Sequence, residues 1–399
     1  MPGNYPIGSP TNFPQGFANG ISIRGMPLLQ AQPGLVFYVD NSPNLLPGQH
    51  AGSDSNRGTF LDPFATLNKA VSVCVPGRGD IVIVSAGHVE NISNATATAL
   101  NCSGAAVIGM GAGPYRPTFI FDTVTTSTIP VGGDGISLQN LLFVGNLLSI
   151  ATAFTGNYST FTGVIANGLL TTSAVTGSIP IGGTVSGTSV TPNTVILSQL
   201  SGTANGAGVY QLSTTQTLAS TTMTTNCKDF AIDNCEFRDN SSVLGFLTLF
   251  KPPTTANAAD GFNLTRTNWW SQSTVSVTCA VVTTVSEDRW NLSDNVMVSP
   301  TTAGTEGPIL LATGAGNMTN FTMGRNRLQR LMVSTSLPSA VSTSGTAWSG
   351  HAFDNYIGTG LSGATGIWIS TGTKLAFSNN YSMITRAADK SALINPAAV

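Results

Sequence analysis

The sequence predicts an all-β protein, a parallel β-helix with an inserted small β module and an extended N-terminal arm. Three observations lead to this prediction. An eight-residue apolar pattern recurs about every 30 residues, one interval between copies is far longer than the others, and the first 34 residues are rich in proline and glycine.

The recurring pattern has apolar residues at its first, third and eighth positions. Clear copies span 136–143, 230–237, 262–269, 290–297 and 321–328, and weaker copies begin at His351 and Leu375. Alternation of apolar and polar residues predicts strands rather than helices. A repeat of about 20 to 50 residues is typical of stacked folds. One strand per repeat, stacked in register, gives a parallel β-helix.

The long interval lies between the copies that begin at Ile136 and Phe230. Within it, residues 158–225 are rich in threonine, serine and glycine and contain no charged residue. Segments 183–190, 194–198 and 208–213 have the composition of short strands joined by glycine and Pro-Asn turns. We therefore expect residues 158–225 to form an inserted β module.

The remaining boundaries follow from this insertion. We expect an anchoring arm over 1–34, the first part of the β-helix over 35–157, and its second part with a C-terminal cap over 226–399. Helical spacing over 64–74, after Asp62 as cap and Pro63 at the first position, predicts a short helix. Such a helix is suited to cover the open end of a stack.

The arm is too rich in proline for a helix or a central strand. It nevertheless carries apolar side chains that a free tail does not need. We expect it to clamp onto neighbouring subunits through a set of anchor residues: Phe13, Phe17, Ile21, Ile23, Arg24, Met26 and Leu28.

Composition excludes several classes of partner. Charged residues make up 9% of the chain, against about 25% in ordinary domains, which favours a surface partly buried in an assembly. A net charge of −2 gives no basic patch for nucleic acid. No apolar run reaches the ~20 residues of a membrane span, and the N-terminus lacks the pattern of a secretion signal. Five scattered cysteines indicate reduced thiols made in a cytoplasm.

Several segments resemble known proteins. Residues 58–67 and 79–88 are similar to the opening of pectate-lyase-like right-handed β-helix proteins, and residues 12–27 resemble the N-terminus of tailed-bacteriophage virion proteins that carry this fold. Segments 183–188 and 206–213 look like a module grafted into phage structural proteins. The resemblance implies a virion component assembled in the host cytoplasm.

Phage β-helices include enzymes that cleave polysaccharide, so we looked for paired carboxylates. Asp233 and Glu236 are the best candidates, but the residues at equivalent positions of neighbouring copies include no second acid: Gln139, Thr265, Ser293 and Gly324 for Asp233, and Asn268, Val296 and Arg327 for Glu236. The adjacent position holds Asn140, Asn234, Arg266, Asp294 and Arg325 and predicts a polar ladder with an Arg-Asp-Arg ion-pair run.

The histidines and tryptophans give little support for a catalytic or metal site. His50, His88 and His351 lie on different repeats, so neither a metal site nor a cofactor is predicted. Trp269 and Trp290 occupy apolar positions of the pattern and are expected in the core. Trp270 is expected on the outside, where an aromatic ring can stack on a sugar.

Two functional hypotheses remain. The first is a capsid decoration protein of the head surface, attached by the arm to the major capsid protein or other virion subunits, with a homotrimer as the expected assembly. The second is a tailspike or tail fibre protein that binds, and in one version cleaves, a host surface glycan.

Overall fold

The computed structural model describes residues 21–23, 26–28, 34–95, 97–156, 159–240, 245–271, 279–299, 310–313, 316–330, 341–343, 348–359 and 374–384. Over these residues the chain is almost entirely β structure, with one α-helix at Leu67–Val73 and one 3-10 helix at Gly113–Tyr115. The prediction of an all-β protein is confirmed.

Most strands belong to three parallel sheets, together called the stack below. The first sheet contains Val36–Val39, Ile81–Val84, Ala106–Gly109, Ser137–Gln139, Ala231–Asp233, Asn263–Thr265, Glu287–Asp288, Asn291–Ser293, Met318–Gly324, Trp348–Phe353 and Lys374–Ser378. The second contains Val89–Asn91, Thr118–Phe121, Leu142–Gly145, Glu236–Asp239, Asn268–Trp270, Val296–Ser299, Arg327–Arg330, Tyr356–Thr359 and Tyr381–Ile384. The third contains Ile129–Pro130, Phe154–Thr155, Thr248–Lys251, Cys279–Thr283, Leu311–Thr313 and Val341–Thr343.

The recurring pattern of the sequence corresponds to the core of the stack. In the five clear copies, the residues at the first, third and eighth positions are all buried. Their side chains stack between copies, as in the Phe230–Phe262 pair at 5.9 Å between ring centroids and the Phe143–Phe237 pair at 5.0 Å. Burial of these aromatic rings is the main stabilising contribution that the pattern makes.

The prediction of one strand per copy is wrong in detail. Each clear copy contributes one strand to the first sheet and one to the second, with a bend between them. The bend residue, for example Asn140 or Asn234, has a positive φ of 56° or 50°. A left-handed residue ends a strand, and asparagine adopts that conformation at less cost than most residues.

The weak copy at His351 is also displaced by one residue from the prediction. Phe321 pairs with Gly350, and Thr322 pairs with His351. A Cβ atom at position 350 would lie 1.9 Å from the Phe321 carbonyl oxygen, and Gly350 has a φ of +141°. The close approach of the two backbones therefore requires glycine where the other copies carry an apolar side chain.

One passage of the chain through the sheets of the stack is called a circuit below. Between two circuits the chain forms a closed antiparallel barrel. Its strands are Ser159–Ala166, Leu169–Gly177, Thr184–Gly187, Thr194–Gly202, Gly208–Leu212 and Leu218–Thr225. The barrel has its own hydrophobic core, which includes Phe161, Ile196 and Tyr210. Its first and last strands pair with each other, while the flanking strands Ser137–Gln139 and Ala231–Asp233 pair directly in the first sheet.

A helix is present at the predicted place, Leu67–Val73, but it starts later than predicted. Its N-cap is Thr66, whose side chain accepts a hydrogen bond from the Lys69 N–H. Asp62 instead contacts His50 and Arg57. Asp54 accepts the N–H groups of Ala65 and Thr66, so the helix entry is fixed by a carboxylate from an earlier loop.

Part of the predicted arm is a short antiparallel hairpin of Ile21–Ile23 and Met26–Leu28. Ile21 pairs with Leu28 and Ile23 with Met26. The anchors Phe13, Phe17 and Arg24 lie outside the described residues, as does the expected C-terminal cap beyond residue 384.

Candidate functional site

The two predicted catalytic candidates lie at the bend between the first and second sheets. Asp233 ends a strand of the first sheet and Glu236 begins the next strand in the second. Asp233 accepts hydrogen bonds from Thr265 Oγ1 and Arg266 Nε, both at 2.8 Å. Its negative charge is therefore compensated by a neighbouring circuit.

Glu236 is compensated in the same way. Its carboxylate contacts Arg116 Nη1 at 3.1 Å and Arg238 Nε at 2.5 Å. The structure thus brings Asp233 and Glu236 to one bend but pairs them with different arginines, Asp233 with Arg266 and Glu236 with Arg116 and Arg238. Because both carboxylates are engaged in ion pairs between circuits, this arrangement favours a structural role over paired acid–base catalysis.

Trp270 is exposed, as predicted. It retains 50% exposure on the outward face of the second sheet, whereas Trp269 is buried. In register, Trp270 lies between Arg238 of one neighbouring strand and Val298 of the other. An exposed aromatic ring of this kind has a flat apolar face that can stack on a sugar.

The predicted polar ladder is present, but its ion pairs are arranged differently. Arg325 binds Asp294 through Nε–Oδ1 at 2.7 Å and Nη2–Oδ2 at 2.6 Å. This hydrogen bonding lowers the pKa of Asp294 and raises that of Arg325. Arg266 hydrogen-bonds Asp233 rather than Asp294. The continuous Arg-Asp-Arg run is therefore wrong, because Arg266 reaches back to the previous circuit.

A second ladder, at the sixth position of the pattern, was not predicted. Asn295, Asn326, Asn355 and Asn380 stack on successive circuits. The Asn326 Oδ1 atom accepts the Asn295 N–H at 3.0 Å, and the Asn326 Nδ2 atom donates to the Leu292 carbonyl at 2.8 Å. Asn355 repeats this arrangement: its Oδ1 atom accepts the Asn326 N–H at 3.1 Å and its Nδ2 atom donates to the Met323 carbonyl at 2.9 Å. The Asn355 N–H donates in turn to Asn380 Oδ1 at 3.1 Å. The Asn side chains thus satisfy the buried backbone groups at the bend.

The most unusual electrostatic cluster lies two to three residues before the pattern, a position not considered in the sequence prediction. Asp134, Lys228, Asp260 and Asp288 all stand two residues before a copy. Asp134 accepts the Lys228 N–H at 2.8 Å, and Asp260 accepts the Asp288 N–H at 2.8 Å. An alignment that includes the residues just before each copy of the pattern places these four charged residues at the same position.

Glu287 completes the cluster from inside the stack. It is 1% exposed, and its Oε2 atom accepts the Ala259 N–H at 3.0 Å while Oε1 has no hydrogen-bond partner. Burial, followed by the neighbouring Asp260, raises the pKa of Glu287 to about 9. Burial also raises the pKa of Asp260 and of Asp134. Glu287 is therefore a neutral acid at pH 7.

A groove of about 390 Å³ separates the barrel from the stack beside this cluster. Lys228 is the one charged residue among those that line it. Lys228 Nζ donates to Asn193 Oδ1 at 3.0 Å and lies 4.0 Å from Asp260 Oδ2. Glu287 is not among the lining residues. The groove accordingly offers hydroxyl and amide groups to a ligand, with the acids behind it.

The histidines have local structural partners. His88 is fully buried; its Nδ1 atom accepts the Asn41 N–H at 3.2 Å, which leaves Nε2–H to donate to Glu90 at 3.2 Å. Glu90 in turn accepts the Leu67 N–H at the start of the helix. Within the described part of the chain, no group of three or more His, Cys, Asp or Glu residues is placed to hold a metal ion. Over the same residues, no helix has the length and apolarity needed to cross a membrane.

No protein-family model and no curated protein matches the chain. Among solved structures, a rhamnogalacturonan lyase superposes with a TM-score of 0.42 and 15% sequence identity, over 91% of this chain and 86% of the lyase. Two structures of the GH136 lacto-N-biosidase from Eubacterium ramulus give TM-scores of 0.38 and 0.39 at 10% identity, over 91% of this chain and 66% and 65% of theirs. At this level of similarity, side-chain positions in those enzymes do not transfer to this chain.

Proposed function

We propose that the chain is a right-handed parallel β-helix that serves as a decoration protein on the head surface of a tailed bacteriophage. The observation that carries the proposal is the construction of the molecule: a long stack of paired strands bears a closed barrel with a separate core. A stiff stack can hold an attached domain at a distance from the particle surface. The barrel can be such a domain, because its first and last strands are adjacent and connect to the stack at one place.

The electrostatics support a structural role. The candidates for acid–base chemistry are held in ion pairs, Asp233 by Arg266 and Glu236 by Arg116 and Arg238. Glu287, whose pKa is raised to about 9 by burial, lies inside the stack and accepts the Ala259 N–H. The carboxylates thus join one circuit of the stack to the next.

Attachment is assigned to the N-terminal arm. The sequence of residues 1–34 combines regularly spaced prolines with apolar residues. In this proposal Phe13, Phe17 and their neighbours bury apolar area against the major capsid protein or sister subunits, at about 25 cal/mol per Å². The assembly is a homotrimer, which sedimentation measurements test as a mass of three 41.1 kDa chains.

Deletion of residues 1–30 tests the attachment. The shortened chain is expected to keep its β-rich circular dichroism and cooperative unfolding, but to lose co-sedimentation with particles that lack the protein. The matched control replaces residues 158–225 with a short Gly-Ser linker and is expected to bind particles normally. Binding by the arm-deleted chain, or failure of the control, contradicts the proposal.

A second candidate function is binding of a host surface glycan as a tailspike, favoured by the exposed ring of Trp270 beside Arg238. Titration of purified host polysaccharide, followed by tryptophan fluorescence, tests it. Binding that is lost in Trp270→Ala and kept in the outward control Asn268→Ala supports this function. If Trp270→Ala and Asn268→Ala bind the polysaccharide equally well, glycan binding at Trp270 is contradicted.

A further inference from the structure

Two of the five cysteines lie side by side at the capped end of the stack. Cys74 follows the last residue of the Leu67–Val73 helix, and Cys102 precedes the strand Ala106–Gly109 one circuit later. The strands that follow them pair in register, Ile81 with Ala106. The Gly77 N–H donates to the Ser103 carbonyl at 2.9 Å. The backbone segments carrying both cysteines therefore run next to each other.

The two thiols meet at one cavity. Cys74 and Cys102 both line a space of about 220 Å³ between the end of the helix and barrel residues that include Pro180 and Ile181. Cys74 is 8% exposed and Cys102 is 3% exposed. The cavity thus gives access from the barrel side to a pair of side chains that are otherwise part of the core.

The two thiols also influence each other's protonation: hydrogen bonding between them raises the pKa of Cys74 and lowers that of Cys102. The Cys74 S–H donates to the Ala70 carbonyl at 3.2 Å, which holds the proton on Cys74. The thiolate is the nucleophile in thiol–disulfide exchange. Cys102 is therefore the sulfur suited to attack, and Cys74 is the one suited to resolve.

The other three cysteines, Cys227, Cys235 and Cys279, have different surroundings. Burial raises the pKa of Cys227 and raises that of Cys235 to about 12. Cys279 Sγ contacts the Val281 carbonyl at 3.1 Å within its own strand. All three are buried in the structure. They serve as internal controls for reactivity.

We propose that Cys74 and Cys102 are a dithiol pair that closes to a disulfide when the chain meets a small disulfide oxidant such as oxidised glutathione. The Cys102 thiolate attacks one sulfur of the oxidant and displaces one glutathione thiolate, forming a mixed disulfide. Cys74 then loses its proton and attacks Cys102 Sγ, displacing the second glutathione. The pair loses two protons and two electrons, and the oxidant is reduced to two thiols.

Closure ties the capping helix to the next circuit of the stack. The bond joins residues 74 and 102, so it restrains the unfolded chain over the intervening loop. The pair stays open in a reducing cytoplasm and closes in an oxidising medium. The timing, closure after release from the host, rests on the proposed virion role; the chemistry of the pair does not.

Mass spectrometry of the native full-length chain tests the proposal. After exposure to oxidised glutathione and alkylation in denaturant, we expect a loss of about 2 Da for one disulfide, three alkylated cysteines, and a cross-linked peptide joining Cys74 to Cys102. We also expect a higher Tm that returns to the original value with dithiothreitol.

Variants with one cysteine replaced by serine identify which sulfur attacks the oxidant and which one resolves the mixed disulfide. Cys74→Ser should stop at a glutathione adduct on Cys102, and Cys102→Ser should remain unmodified, while the control Cys279→Ser should close normally. The wild-type peptide map decides the question even if a variant fails to fold. Five alkylated cysteines after oxidation, a cross-link between other residues, or a persistent glutathione adduct on wild-type Cys102 would overturn the proposal. None of these outcomes depends on particle attachment, so this test is independent of the arm deletion.

Discussion

The Asp233 carboxylate accepts a hydrogen bond of 2.8 Å from Arg266 Nε, one circuit further along the stack. Asp233, a catalytic candidate in the sequence, therefore links two neighbouring circuits of the stack. Asp294 and Arg325 repeat the link two circuits later. The bend between the first and second sheets is therefore a row of polar contacts that hold neighbouring circuits in register.

Breaking this pair is expected to change stability little. Arg266 is largely exposed, and exposed ion pairs contribute about 0.2–1 kcal/mol. We expect Arg266→Ala to lower the free energy of unfolding by no more than about 1 kcal/mol, and by less in concentrated salt. Urea denaturation at two salt concentrations measures this. A loss of several kcal/mol would mean that the ladder is a major source of stability.

The buried asparagine ladder is expected to behave differently. Asn326 is fully buried and bonds Asn295, Asn355 and the Leu292 carbonyl. Asn326→Ala leaves several buried polar groups without partners, at about 1–3 kcal/mol each. We expect a loss of more than about 2 kcal/mol in urea denaturation. The matched control is Asn268→Ala on the outward face, expected within about 0.5 kcal/mol of wild type; equal effects would contradict this account.

Glu287 makes stability depend on pH. Its pKa rises from 4.5 in the reference state to about 9 in the folded chain. Between these values the folded chain keeps a proton that the unfolded chain releases, so the free energy of unfolding falls as pH rises, by up to about 1.4 kcal/mol per unit. The protonated form contributes fully only below the unfolded pKa.

Glu287→Gln tests this dependence, because the amide has a similar shape and no charge. We expect the variant to exceed wild type by about 2 kcal/mol or more at about pH 8 and to approach it at about pH 5. Denaturant titrations at several pH values give the comparison. Glu236→Gln, at a partly exposed ion pair, should leave the alkaline part of the wild-type profile unchanged. A wild-type profile that is flat above about pH 6 would contradict a neutral Glu287.

Excision of the barrel tests the insertion. The barrel's first and last strands pair, and Ser159 Oγ lies 2.8 Å from Thr225 Oγ1, so its ends are adjacent. We expect a chain with a Gly-Ser linker in place of 158–225 to unfold cooperatively with β-rich circular dichroism. We also expect the isolated segment 158–226 to fold. Collapse of the excised chain would mean that barrel contacts such as Thr184 N–H to Asp134 are essential to the stack.

The sequence predicted the features that depend on apolar periodicity. The buried positions of the pattern and the exposed position of Trp270 follow from the alternation of apolar and polar residues. The side-chain contacts between circuits could not be derived in the same way. A long side chain can reach the preceding or the following circuit, and the sequence does not show that Arg266 binds Asp233 rather than Asp294. The shift at Gly350 also escaped the pattern, since a close backbone approach leaves no apolar signal. Glu287 was overlooked because it stands just before the aligned window.

A cryo-EM reconstruction of the particle that carries this chain tests the central claim most directly. The account predicts density for the stack and barrel at icosahedral positions on the head, with the N-terminal arm running into the capsid. Density confined to the tail would contradict the decoration role and favour the glycan-binding alternative at Trp270.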